Sequence, residues 1–458
     1  MSARGAATFR LRLPAPPGAT LAWHRRPGAL ERSLAPWWEP RVLARGAVGQ
    51  PAVVTFAAGR QRWRLEPARE PDGALQAVPL RGPLARLEIA GRCRAEGGGC
   101  VLEERFEWRA RAGPLAAWAT RGLPRELERW LAWRAALVAA DLARAPGPGA
   151  RPLAVGITGA SGFLGGALSR YLESRGDRVV RLVRGRAAGA GEVAWDPAAE
   201  RLEPDSLAGL DAIVHLAGAG IAEARWSAAR RRVLVESRVR STALLARALA
   251  AARGGPRVLV SASAVGWYGD RGEEPLDESS PPGTGFLAGL AQRWEEAAAP
   301  AARAGVRVAH PRIGVVLWPG QGALAPLARA FRLGAGGPLG SGRAWWSWVG
   351  LHDLLDMIVT AIVDERLAGP FNAVAPEPVR QAALARALGR ALGRPSWAPA
   401  PAFALRLLLG RGRADEMLLA SQRVHPRVLE RTGFRFRDPA LAPLLERLHG
   451  RPRLEPEP

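Results

Sequence analysis

The segment Leu153-Ala154-Val155-Gly156-Ile157-Thr158-Gly159-Ala160-Ser161-Gly162-Phe163-Leu164-Gly165 restricts the fold more than any other part of the chain. It starts as an apolar run of strand length and passes into a turn carrying three glycines. It continues as a helical pattern with Leu164, Ala167, Leu168, Tyr171 and Leu172 on one face. Each glycine meets a different demand. Gly159 permits a sharp turn off the strand, Gly162 lets backbone N–H groups approach a diphosphate, and Gly165 lets the helix lie tight on a sheet. The helix N-terminus, with its unpaired N–H groups, then faces the phosphates. A second strand, Arg178–Val183, completes the context that a glycine triplet needs to carry meaning.

Strands and helices go on alternating. Ala212–Gly218, Arg257–Ser263 and Val306–Arg312 read as strands, with helical patterns at Ser227–Ala251 and Leu287–Ala304. This rhythm predicts an α/β fold with a doubly wound parallel Rossmann-type sheet. Beyond about residue 320 the pattern loosens. Leu333–Trp348 is rich in Gly, Pro and Trp, and a helix from Leu351, the segment Phe371–Ala375, a helical Val379–Leu392 and further short helices follow. This part is expected to form a small C-terminal lobe over the carboxyl ends of the strands, where open α/β sheets bind ligands.

Residues 1–145 have another character. Ala7–Leu13 alternates like a half-buried strand, and a helical region follows around Leu21–Leu34. Strand-like runs come next at Ala52–Ala57, Gln61–Glu66, Ala74–Leu80, Ala85–Arg92 and Cys100–Arg109. A long amphipathic helix closes the region, with Leu123, Leu127, Trp130, Leu131, Arg134, Leu137, Val138 and Leu142 on its apolar face. This α+β order, with the stretch Arg32–Pro40 around Pro36-Trp37-Trp38, resembles the helix-grip fold of START-like (SRPBCC) domains. The resemblance implies a curved sheet closed by the last helix over an apolar cavity. Trp63, Trp108, Trp118, Trp130 and Trp133 are candidates to line that cavity around an apolar ligand, and plain core packing stays open for them. Ala145–Ala150 is a linker by composition. The expected domains are therefore 1–145, a linker 146–152, a dinucleotide-binding domain 153–378 and a helical extension 379–450.

The formal charge of +23 comes entirely from arginine, since the chain has no lysine. These arginines are interleaved with acids throughout and form no basic arm, so nucleic acid is not the expected partner. No stretch approaches the ~20 apolar residues of a membrane span, and the N-terminus has no apolar signal core. The expected setting is soluble and cytoplasmic, without a membrane partner, and no metal site is expected. Cys93 and Cys100 flank a glycine turn and are expected as reduced thiols.

The end of the second strand chooses between cofactors. NAD binders place an acid there for the ribose 2′-hydroxyl, whereas this strand ends Leu182-Val183-Arg184-Gly185-Arg186. Arginine suits a 2′-phosphate, so NADP is expected, with Arg184 the leading contact and Arg186 the second. The spacing G-x-x-G-x-x-G resembles that of the short-chain dehydrogenase/reductase superfamily. Many further stretches resemble its epimerase-like (nucleotide-sugar epimerase) atypical family over residues 153–448. They include Trp195-Asp196-Pro197, His215–Ile221, Arg225-Trp226, Glu236-Ser237-Arg238, Ser261–Gly269, Arg293–Glu296, Gly336–Gly342, His352-Asp353 and Gly369–Asn372. The resemblance implies a cofactor lined by Gly159, Ser161, Gly162, Phe163, Leu164, Gly165, Leu216, Ala217, Gly218, Ser261 and Arg312, and a small-molecule substrate. His215 is expected to be packed or hydrogen-bonded rather than catalytic.

The superfamily's chemistry uses a serine and a Tyr-x-x-x-Lys pair. Ser263 matches the serine, while the place of the tyrosine falls near Phe286–Leu290 and the lysine is missing altogether. Tyr268, which follows the serine strand, is the candidate proton donor beside Ser263; its pKa would need a neighbouring arginine to fall. Two readings stay open: an NADP-dependent epimerase or oxidoreductase with an unusual proton donor, and a non-catalytic NADP(H)-sensing module.

Overall fold

The chain is seen in a computed structural model. It describes residues 4–44, 52–56, 61–66, 76–81, 83–112, 121–147, 149–187, 189 and 191–451; within 41–81 it describes the backbone and the side chain of Arg64. Two compact units emerge, one of residues 1–151 with 170–176 and the residues from 447, the other of 152–169 and 177–446.

In the first unit, β1 (Arg4–Leu13) pairs antiparallel with β7 (Gly99–Ala110), and β7 pairs with β6 (Leu84–Glu96). Strands β2 (Arg41–Ala44), β3 (Ala52–Phe56), β4 (Gln61–Glu66) and β5 (Gln76–Arg81) form a second antiparallel sheet. Helices α1 (Pro17–Arg25) and α2 (Ala29–Ser33) lie between β1 and β2 in sequence, and α3 (Leu123–Leu142) closes the order. Alternation along β7 turns Cys100, Leu102, Glu104, Phe106 and Trp108 inward. One of these is an acid, and α3 answers it with Arg134, buried on its apolar face. A second buried pair joins Arg32 to Asp141 at 2.6 Å. Cys93 lies opposite Leu102 and Cys100 opposite Ala95, and neither forms a disulfide with a described residue.

The second unit is built on an eight-stranded sheet. Glu192–Trp195, Arg178–Arg184, Ala154–Thr158, Ala212–His215, Val258–Ser261 and Arg307–Ile313 lie side by side in that order, all parallel. Numbered along the unit this is the order 3-2-1-4-5-6 of a Rossmann sheet, which places a binding crevice where the order reverses. The short strand Ser263–Ala264 and the strand Gly369–Ala373 add to Arg307–Ile313. Val155, Ile157, Ile213, Val214, Leu259 and Val260, drawn from both faces of the sheet, are fully buried, as expected of strands covered on both faces.

Three differences from the sequence reading have local causes. Glu192–Trp195 forms an edge strand of four residues, too short to reveal a period. The helical pattern Leu287–Ala304 splits into Phe286–Glu296 and Ala299–Arg303, and Pro300 starts the second piece because it has no N–H to continue the first. The segment around Phe371 belongs to the main sheet rather than to the C-terminal lobe.

Candidate functional site

The glycine loop departs from the strand Ala154–Thr158 as its sequence requires. Gly159 has φ +70°, and a Cβ there would meet the backbone of Leu216 and Ala217 at 3.0 Å. At Gly165 a Cβ would stand 2.2 Å from the Gly159 carbonyl oxygen, so this glycine seats the helix against the loop itself. Gly162 donates its N–H to the Gly159 carbonyl at 2.9 Å. Phe163 and Leu164 open the helix, so their N–H groups have no carbonyl partner within it. Ser161 and Gly162 are exposed, and Phe163 and Leu164 are half-buried.

The next strand end is fixed by one threonine. Thr158 Oγ1 accepts from the N–H groups of Leu216 and Ala217, at 3.1 and 3.2 Å, and lies 2.7 Å from His215 Nδ1. With both acceptor positions used, the hydroxyl proton goes to Nδ1. His215 then carries its hydrogen on Nε2 and donates it to Ser241 Oγ at 3.1 Å. Burial first, and then the nearby Arg238, lower the His215 pKa to about 3. This neutral imidazole is hydrogen-bonded on both nitrogens beneath the loop Leu216–Gly218.

At the end of the second strand, Arg184 and Arg186 are exposed and make no hydrogen bond or ion pair with another described residue. Gly185 between them has φ +94°. Ser261 is fully buried, its hydroxyl makes no hydrogen bond with a described residue, and its carbonyl lies 3.3 Å from His310 Nδ1.

Ser263, Tyr268 and Arg312 come together in one network, and Glu295 is its centre. Ser263 donates to Glu295 Oε1 at 2.6 Å, and Arg312 pairs with both carboxylate oxygens, Nε to Oε1 at 2.9 Å and Nη2 to Oε2 at 3.0 Å. Arg312 Nη1 donates to the Tyr268 hydroxyl at 3.1 Å, and that hydroxyl donates to Asn372 Oδ1 at 2.8 Å. The guanidinium also lies 3.8 Å over the Trp267 ring. Ser263 is 2% exposed and Tyr268 0%. Burial, outweighing the help of Arg312, raises the Tyr268 pKa to about 12, so the phenol keeps its proton at neutral pH. The arginine expected to activate Tyr268 is present, and burial overrides it.

Glu295 was visible in sequence only inside the Arg293–Glu296 match. What marks it is structural: a largely buried acid next to Trp294 in the helix, paired with Arg312 arriving from a strand. At the place where a tyrosine was expected, Phe286 packs edge-on to Trp226 at 5.2 Å. Trp346 and Trp348 are core residues whose indole N–H groups donate to the Leu418 and Glu377 carbonyls.

In the first unit Trp108, Trp130 and Trp133 are buried; Trp118 and the Trp63 side chain lie outside the described residues. Trp130 lies 5.5 Å from Trp38, and Trp133 6.1 Å from Trp37. Glu126 accepts from the indole N–H groups of both Trp37 and Trp38 at 2.6 Å. Among the described residues no helix is long and apolar enough to cross a membrane.

Residues 155–373 match the NAD dependent epimerase/dehydratase family. The chain is 41% identical over 282 residues to the epimerase family protein Mb2239 of Mycobacterium bovis, covering 62% of this chain and 93% of that relative. The chain belongs to this family. Residues 400–448 also match a domain of unknown function, DUF1731. Among solved structures, human epimerase family protein SDR39U1 (isoform 2), determined with NADPH, is 34% identical with a TM-score of 0.60 over 65% of this chain and 99% of that one. The nucleoside-diphosphate sugar epimerase of Corynebacterium glutamicum is 30% identical with a TM-score of 0.77, and its match covers 98% of this chain and 91% of that one. This last likeness therefore extends through the N-terminal unit as well as the epimerase-family unit.

Proposed function

We propose that this family member is an NADP-binding atypical short-chain dehydrogenase/reductase of the cytoplasm, working as an epimerase or reductase on a nucleotide-sugar-like or small carbonyl substrate. The observation that carries the cofactor assignment is the pair Arg184 and Arg186, exposed and unpaired with any other described residue at the tip of the second strand. The NADPH in the human SDR39U1 structure supports the same reading.

The loop fits a dinucleotide: side chains at Gly159 or Gly165 would collide with backbone, and Ser161 and Gly162, which lead into the helix, are exposed. The N–H groups of Phe163 and Leu164 would take the diphosphate, Leu216, Ala217 and Gly218 would flank the adenosine side, and Arg184 and Arg186 would hold the 2′-phosphate. When bound, the nicotinamide supplies hydride chemistry. The chain's own part is to position and to move a proton. Ser263, oriented by Glu295, offers its oxygen as an acceptor for a substrate hydroxyl; Glu295 is next in line for that proton and is held by Arg312. Tyr268 serves as a positioning residue for Arg312. The N-terminal unit is proposed as a START-like (SRPBCC) helix-grip domain for an apolar ligand, supported by its order of strand, two short helices, six strands and long helix.

The burial of both Ser263 and Tyr268 favours a second reading, a module that senses NADP(H) without turnover. The test is to incubate the protein with NADPH and a panel of carbonyl compounds, and with NADP+ and nucleotide sugars, following cofactor oxidation and the appearance of epimers by NMR. Turnover lost in Ser263→Ala and Glu295→Gln supports the enzyme. NADPH binding without turnover of any compound supports the sensor.

A further inference from the structure

The helix Ala228–Ala251 turns Leu234, Ser241, Leu245 and Leu249 inward, and Arg238 stands in line with them, 7% exposed. Burying a guanidinium without a counter-ion is costly, so such a residue ordinarily meets a carboxylate. Arg238 does not. Its Nη1 donates to the Leu234 carbonyl of its own helix at 3.3 Å, and its Nε has no partner. The charge that acts on it is of the same sign, Arg230, whose own ion pair goes to Glu223 at 2.9 Å. Burial first, and then Arg230, lower the Arg238 pKa to about 10, which leaves it charged at neutral pH.

Two surfaces flank this charge. The Trp294 ring lies 5.1 Å from it, and Gly218 lies against it, since a Cβ on Gly218 would be 3.1 Å from Arg238 Cζ and 3.3 Å from Nη2. Gly218 is itself exposed, so on this side a residue without a side chain stands between the guanidinium and solvent. Leu216–Gly218 follows the strand Ala212–His215, which pairs with Ala154–Thr158 where the strand order reverses. The glycine loop touches Ala217 there.

We propose that Arg238 is the counter-ion of a diphosphate bound in this crevice, shared with the N-terminus of the helix Phe163–Arg175. The inference rests on the dinucleotide-binding reading above. The diphosphate belongs either to the cofactor or to a nucleotide-sugar substrate, and the two sources separate experimentally.

The experiment compares the full chain with Arg238→Gln and Arg238→Lys. NADPH is titrated by fluorescence, UDP-glucose and inorganic pyrophosphate by calorimetry, and each ligand-free protein is melted. Arg238→Gln is expected to weaken one ligand at least tenfold, with part of the affinity returned by Arg238→Lys. Ligand-free Arg238→Gln is expected to melt higher than wild type, because an uncompensated charge has gone; an arginine with a merely structural role would show the reverse. Loss confined to NADPH assigns the cofactor's diphosphate, and loss confined to UDP-glucose assigns the substrate's. Unchanged affinity for all three ligands overturns the proposal. Wild type that binds pyrophosphate but not NADPH, with Arg238→Gln losing the pyrophosphate, keeps the anion site and overturns only the dinucleotide reading. Wild type that binds none of the three overturns both.

Discussion

Asp353 stands in the first turn of the helix Leu351–Val363, 1% exposed, and holds the chain near the C-terminus to that helix. Its Oδ1 accepts from the Arg437 N–H at 2.6 Å and its Oδ2 from the Asp438 N–H at 2.9 Å. Burial, and then the charge of Asp438, raise its pKa from 3.8 to about 7. An acid with a raised folded-state pKa binds its proton more tightly in the folded protein. Its contribution to stability is therefore greatest below the unfolded value and is lost as pH climbs through the window from 3.8 to 7. The difference, 7 − 3.8 = 3.2 units, corresponds to about 4 kcal/mol at ~1.36 kcal/mol per unit. Asp353→Asn removes the titration while keeping size and one acceptor. Urea denaturation of both proteins between pH 4 and pH 8 should show wild type losing about 4 kcal/mol relative to the variant as pH rises, with nearly all of the change below pH 7. A difference between the two proteins that stays flat across that range would refute the reasoning.

Gly165→Ala places a methyl carbon 2.2 Å from the Gly159 carbonyl oxygen; NADPH affinity should fall at least tenfold in fluorescence titration, with a lowered melting temperature. Tyr268→Phe leaves Arg312 Nη1 and Asn372 Oδ1 without their shared hydroxyl; denaturant titration should show a loss of about 1–3 kcal/mol, while NADPH affinity is unchanged.

The glycine loop and its neighbouring strands were legible because strand, turn and helix follow from local spacing, and Gly159 and Gly165 have local steric causes. Arg184 and Arg186 were legible as arginines at and just past a strand tip, where the structure leaves them exposed; their contact with a 2′-phosphate is a proposal that the titration below tests. The network around Glu295 was not legible in this way. It joins Ser263 and Tyr268 to Glu295, Arg312 and Asn372, which lie far along the chain from them and from one another and meet only in the folded unit. Burial reversed one expectation of degree: an arginine beside Tyr268 does little for an acid with no exposed surface. Arg238 illustrates the same limit, since an arginine in an arginine-rich chain looks ordinary until its buried position and missing carboxylate are seen.

The central claim is that the crevice binds NADP(H) through the tip of the second strand. Its most direct test is the pair of dissociation constants for NADPH and NADH, measured by fluorescence titration on wild type and on Arg184→Ala. The account predicts that wild type prefers NADPH by at least tenfold and that the variant loses most of this preference through weaker NADPH binding alone. Equal affinity for the two cofactors, or a preference untouched by the substitution, would contradict it.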